Sequence, residues 1–115
     1  MKSKTKNTTT TIIIILAIAL IAIFALTKKP AETDEELVKC IGSKSVLYTQ
    51  LGCHFCEAQK DLFGENIKHI SVIDCWYEPE PCTENNITSI PTWIIKNEKY
   101  EGLQTIDKLK ELTGC

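Results

Sequence analysis

Ile12 to Leu26 is an unbroken run of fifteen apolar residues, without Gly, Pro or charge. As a helix the run spans about 22 Å at about 1.5 Å per residue, short of a bilayer. Thr8 to Thr11 and Thr27 extend it, because their hydroxyls can bond back to their own helix. The stretch then reaches twenty residues, and about 30 Å of helix matches the hydrocarbon core of a membrane.

Beyond residue 32 the apolar positions recur at the spacings of short helices and strands. Thr33 and Glu36 predict a capping box opening a helix through Leu37, Val38 and Ile41, with Gly42 ending it. Val46 to Thr49 predicts a strand and Leu51-Gly52 a turn. Phe55, Ala58, Leu62 and Phe63 fall at i, i+3, i+7 and i+8, one buried helical face, before Gly64. Ile70 to Asp74 predicts a second strand, and the roughly twenty residues between the two strands suit a right-handed parallel crossover. Trp76 to Pro81 reads as a loop, Cys82 to Asn86 as a helical turn or two. Thr92 to Ile95 and Lys99 to Glu101 read as two more strands about a turn at Asn97-Glu98. The last helix takes Thr105 as its N-cap and turns Ile106, Leu109 and Leu112 inward. The organisation expected is a basic tail over 1–7, a span over 8–27, a linker over 28–32 and one small α/β domain over 33–115.

Charge orients this arrangement. All 13 basic residues are Lys, and five of them, Lys2, Lys4, Lys6, Lys28 and Lys29, flank the apolar run. The remaining 8 Lys face 15 acidic residues, a formal −7 on the domain. A nucleic-acid footprint would have the opposite sign. The lysine-rich N-terminus predicts a cytoplasmic tail and a domain outside the membrane. A cleaved signal peptide is the rival reading. It is disfavoured: Ala17-Ile18-Ala19 would leave Leu20 to Leu26 on the mature protein, and cleavage after Ala25 would need a small residue where Ile23 stands.

Six cysteines, all beyond residue 39, indicate an oxidising compartment. Cys53-His54-Phe55-Cys56 lies between a predicted strand and a predicted helix. Cys53 therefore sits at a helix N-terminus, where unpaired N–H groups and the helix dipole favour the thiolate, the species that attacks disulfides. Cys56, one turn on, can close a disulfide with Cys53 or resolve a mixed one. The alternative is half of a zinc site completed by Cys75, Cys82, His54 or His69, but the six-residue gap between Cys75 and Cys82 is too wide for that pattern. Ile90-Pro91-Thr92 adds a second signal. An X-Pro bond there can be cis, and a proline opening a strand leaves backbone groups free to hold an extended substrate.

Tyr48-x-x-x-Gly52-Cys53-x-x-Cys56, Gln59-Lys60-x-Leu62-Phe63-Gly64 and Ile90-Pro91-Thr92-Trp93 ahead of Tyr100-x-Gly102 resemble the thioredoxin-like domain fused to or paired with microbial vitamin K epoxide reductase homologues. The resemblance runs from about Leu37 to Thr113. It implies a thioredoxin fold, with a central mixed four-stranded sheet flanked by helices. It implies also a cis Pro91 and a thiol–disulfide oxidoreductase that exchanges electrons with a quinone-linked membrane reductase while oxidising cysteine-containing exported proteins. That chemistry needs thiols alone, without metal or other cofactor. Two positions depart from thioredoxin itself: Leu47 stands where a buried acid would be, and Gly52 where a Trp precedes the first cysteine. His54, following Cys53, is a candidate thiolate stabiliser. The same fold run as a reductant or isomerase stays open at this stage.

Two further pairs are expected among the other cysteines. Cys75 and Cys82 bracket a six-residue loop with two prolines that can fold back, so a disulfide is easily closed, as staple or as relay. Cys40 lies on the inner face of the first predicted helix of the domain and Cys115 follows the last, so a disulfide between them would pin the two helices together.

Overall fold

A computed structural model describes residues 2–27 and 33–115 of the chain. The expected linker over 28–32 lies outside the described residues, as does Met1. Two compact units are present, helix α1 and the domain that follows.

Helix α1 runs Lys2–Leu26 and includes the lysine-rich start of the chain. Within it Asn7–Leu26, 20 residues of mean hydropathy 2.8, is long and apolar enough to cross a membrane. Thr11 Oγ1 donates to Asn7 O at 2.7 Å and Thr27 Oγ1 to Ile23 O at 3.0 Å, so the flanking hydroxyls are satisfied within the helix itself.

The domain follows the order α2 (Glu35–Ser43), β1 (Ser45–Thr49), α3 (His54–Asp61), a 3-10 helix (Gly64–His69), β2 (Ser71–Asp74), α4 (Pro79–Glu84), β3 (Thr92–Ile95), β4 (Glu98–Glu101) and α5 (Ile106–Thr113). The strands form one mixed sheet in the order β2-β1-β3-β4. Strands β1 and β2 are parallel, with Thr49 opposite Asp74. Strand β3 runs antiparallel to β1, with Tyr48 opposite Thr92, and β4 antiparallel to β3. Strand β1 is central and covered on both faces, so Leu47, Tyr48 and Thr49 are buried in succession instead of alternating with exposed residues. Val38, Ile41, Leu47, Phe63, Ile70, Trp93, Ile95 and Leu109 make the core.

Several local expectations are corrected. The N-cap of α2 is Asp34, whose carboxylate accepts the Glu36 N–H at 3.1 Å; the Thr33 hydroxyl is instead drawn to Leu62 O at 2.8 Å. Gly42 lies inside α2, where a Cβ would collide with the His69 carbonyl, so its role is close packing rather than helix termination. The inner face of α3 is Cys56 and Gln59, with Phe63 buried just beyond its end, while Phe55 and Leu62 are exposed. Pro79 and Pro81 fall in the first turn of α4, where the missing proline N–H costs nothing, so the loop after β2 is shorter than expected. The β3–β4 turn is made by Lys96 and Asn97, both at positive φ. Thr105 caps α5 as the sequence indicates, accepting the Lys108 N–H at 3.1 Å.

Candidate active site

Three connections meet at one end of the sheet, and the register dictates this. Strands β1 and β2 are parallel and end together at Thr49 and Asp74, while β3 starts beside them at Thr92. The segment Gln50–Cys53, the turn beginning at Cys75 and the segment ending at Pro91 are thereby neighbours. A single carboxylate oxygen joins the first two: Asp74 Oδ1 accepts the Leu51 N–H at 3.2 Å and the Trp76 N–H at 2.9 Å. The Cys75 N–H donates to Thr49 O at 2.8 Å.

Gly52, at φ 81°, turns the chain out of the sheet in a conformation that side chains resist. Cys53 then serves as N-cap of α3, its Sγ accepting the Cys56 N–H at 3.1 Å. The two cysteines form a disulfide with their Cα atoms 5.2 Å apart. Their environments differ. Cys53 is partly exposed and Cys56 is fully buried against the core. On reduction the same N–H and the helix dipole would favour a thiolate at Cys53. His54 opens α3 and is exposed, its ring edge-on to that of Phe55 with centroids 6.0 Å apart.

The Ile90–Pro91 bond is cis, Pro91 is buried, and its carbonyl accepts the Gly102 N–H at 2.8 Å. That bond brings the start of the β4–α5 connection to the same end of the sheet. Gln59, which sequence reasoning noticed only within a motif, ties these pieces together. Its fully buried amide accepts the Trp93 indole N–H at 3.1 Å and the Gln104 N–H at 2.7 Å, and donates to Gln104 O at 3.0 Å. A glutamine three residues after Cys56, on the stripe leading to Phe63, was the available signal. Asp74 was missed as well, and its only signal was an acid ending a strand. Beneath the site, burial pushes the Tyr48 phenol above its ordinary pKa, against the hydrogen bond from Asn85 and with the aid of the Glu84 carboxylate.

The other cysteines pair as Cys75–Cys82, Cα atoms 5.8 Å apart, and Cys40–Cys115, 6.0 Å apart. His69 is engaged by Glu35 at 2.9 Å. Among the described residues no group of three or more His, Cys, Asp and Glu side chains is placed to hold a metal ion.

A mixed sheet in the order β2-β1-β3-β4 and a cysteine pair opening the helix after β1 decide the architecture. The domain has the thioredoxin fold. No protein-family model matches the chain. It is 30% identical to the thiol-disulfide oxidoreductase LTO1 of Arabidopsis thaliana over 83 residues, an alignment that covers 64% of this chain and 22% of that protein. The chain thus spans well under two thirds of that relative. Among solved structures, the NTD N/C domain of alkylhydroperoxide reductase AhpF from Enterococcus faecalis aligns with a TM-score of 0.47 and 24% identity, over 73% of this chain and 45% of that one. Oxidised thioredoxin from Plasmodium falciparum aligns with a TM-score of 0.48 and 22% identity, over 71% and 90%. The thioredoxin-like assignment itself rests on strand order and site geometry.

Proposed function

We propose that this chain is a membrane-anchored thiol–disulfide oxidoreductase. Its domain lies outside the membrane, oxidises cysteine-containing exported proteins and passes the electrons to a vitamin K epoxide reductase-like quinone reductase. The observation that carries the reading is the asymmetry of the pair: Cys53 accessible at the N-cap of α3, Cys56 buried one turn behind it. Similarity to a protein named as a thiol-disulfide oxidoreductase supports the activity. Helix α1 supports the anchor, the lysines preceding it support the orientation, and the motif resemblance from Tyr48 to Gly102 supports the quinone-linked partner.

In the proposed cycle a substrate thiolate attacks Cys53 Sγ, and Cys56 leaves as a thiolate. The substrate's second thiol then displaces Cys53, so one substrate disulfide forms as Cys53–Cys56 becomes a dithiol. Recharging reverses the roles. The Cys53 thiolate attacks the reductase's disulfide, Cys56 resolves the mixed disulfide, and two electrons and two protons pass to the reductase. His54 stabilises the thiolate when protonated, and Ile90 and Pro91 offer backbone to an extended substrate.

Cysteine substitution tests this. Cys53→Ser should abolish exchange, and Cys56→Ser should accumulate mixed disulfides because only the resolving step is lost. Equal residual exchange in the two variants would overturn the assignment. A Cys53/Cys56 potential near about −120 mV is expected for an oxidant, whereas about −270 mV would mark a reductant.

A further inference from the structure

The domain's apolar exposure is concentrated around the cysteine pair. Six large apolar side chains are exposed among the described residues of the domain, and five of them, Leu51, Phe55, Trp76, Tyr77 and Leu103, lie at the end of the sheet that holds Cys53. Only Leu62, beyond the far end of α3, lies elsewhere. Clustering of this kind marks an interaction surface. Trp76 and Tyr77, 65% and 69% exposed, dominate it. They stand at the base of the loop that the Cys75–Cys82 disulfide closes, with Pro79 and Pro81 stiffening its other limb.

The surface is built in advance. Asp74 Oδ1 holds the Leu51 and Trp76 backbones together, and the Gly102 N–H bonded to Pro91 O brings Leu103 to the same side. A backbone frame fixed in this way lowers the ordering cost of binding.

Its rim is of one sign. From Ile70 to Ile95 there is no Lys or Arg, whereas Glu78, Glu80 and Glu84 are all exposed. Lys60, on the neighbouring helix α3, is held by Glu57 at 2.6 Å. An anionic lipid surface would be repelled by such a rim, and a cationic chain would be attracted.

We infer that the Cys75–Cys82 loop is a docking arm for a polypeptide segment that places apolar side chains against Trp76 and Tyr77 and Lys or Arg against Glu78 and Glu80, presenting its cysteines to Cys53. The inference rests on the exchange reading of Cys53 and Cys56 and adds the class of partner.

The full-length oxidised chain in detergent micelles, mixed with reduced synthetic peptides, provides the test. Each peptide carries a cysteine pair among Leu and Val, flanked in one by Lys and in the other by Glu, and dithiothreitol serves as a small reference thiol. The Lys-flanked peptide should be oxidised about tenfold faster than the Glu-flanked one at low salt, with the gap closing at high salt. Trp76→Ala with Tyr77→Ala should slow the Lys-flanked peptide about tenfold and leave dithiothreitol unaffected. Glu78→Gln with Glu80→Gln should remove the salt dependence. A chain that fails to oxidise even dithiothreitol sinks the exchange reading itself. A chain that oxidises dithiothreitol but treats both peptides alike, or whose Trp76→Ala/Tyr77→Ala variant matches the parent on the Lys-flanked peptide, overturns the docking arm alone. Of the two tryptophans Trp93 is fully buried, so a change in exposed-tryptophan emission reports Trp76. A blue shift on transfer from micelles to phosphatidylcholine nanodiscs, with no peptide present, would assign the loop to the lipid surface and also overturn the proposal.

Discussion

Gln59 Oε1 accepts the indole N–H of Trp93 at 3.1 Å, joining the helix that carries Cys56 to the strand that begins after cis-Pro91. The same oxygen takes the Gln104 N–H, so three separate stretches of chain converge on one buried amide. Gln59→Leu would keep the volume and strand both donors. The substitution should lower stability by about 2–6 kcal/mol, since each buried donor left unpaired costs about 1–3 kcal/mol. Urea unfolding of the oxidised protein checks it, and an unchanged midpoint would show that water replaces the amide.

Cys40 and Cys115 close a loop of sequence separation 75, and Cys115 packs against the core beneath α5. Replacing both by Ala should lower stability by about 4 kcal/mol in the chain-entropy view. Exchange at Cys53 should be preserved, because the pair joins α2 to the end of α5 and touches neither Cys53 nor Cys56. Thermal unfolding and a thiol-exchange assay on the double variant separate the two effects.

Glu35 bears on acid stability. Its carboxyl is held below its ordinary value of 4.5, first by the hydrogen bond with His69 and then by Lys39. A carboxylate whose folded pKa is depressed contributes stability above its unfolded pKa, and that contribution is lost as pH falls through the folded value. Glu35→Gln should therefore be less stable than the parent at neutral pH, with the difference shrinking below pH 4.5. The effect is small because the side chain is only half buried and solvent screens its partners. A gap that widens in acid would refute the linkage.

The proposed topology predicts that protease added outside intact spheroplasts digests the domain and spares the N-terminal helix. Protection of the exposed Trp76 segment until the cells are lysed would place the domain in the cytoplasm and remove the oxidising compartment from the functional reading.

How far the sequence could be read depended on whether the forces were local. The cysteine pair, the α5 cap at Thr105 and strand β3 at Thr92–Ile95 follow from residues a few positions apart, and each was legible. The inner face of α3 was not, because Gln59 is buried only by virtue of Trp93 and Gln104, 34 and 45 positions away. Thr33 looked like an N-cap until Leu62 O, 29 residues on, claimed its hydroxyl. Gly42 reads as a helix stop until the His69 carbonyl is seen to pass over it. The two prolines between Cys75 and Cys82 marked a loop from the sequence alone, whereas the position of Trp76 beside Leu51 depends on Asp74 at the end of a parallel strand.

A loop cinched at its base by a disulfide and fastened to the sheet through one aspartate is close to an exchangeable cassette. Its six inner residues, Trp76 to Pro81, can change length or charge while Cys75, Cys82 and Asp74 keep the frame. If the docking proposal holds, partner preference can be re-engineered without disturbing Cys53, Cys56 or the packed sheet beneath them, and grafting a basic version of the loop would be the direct way to redirect the protein toward acidic clients.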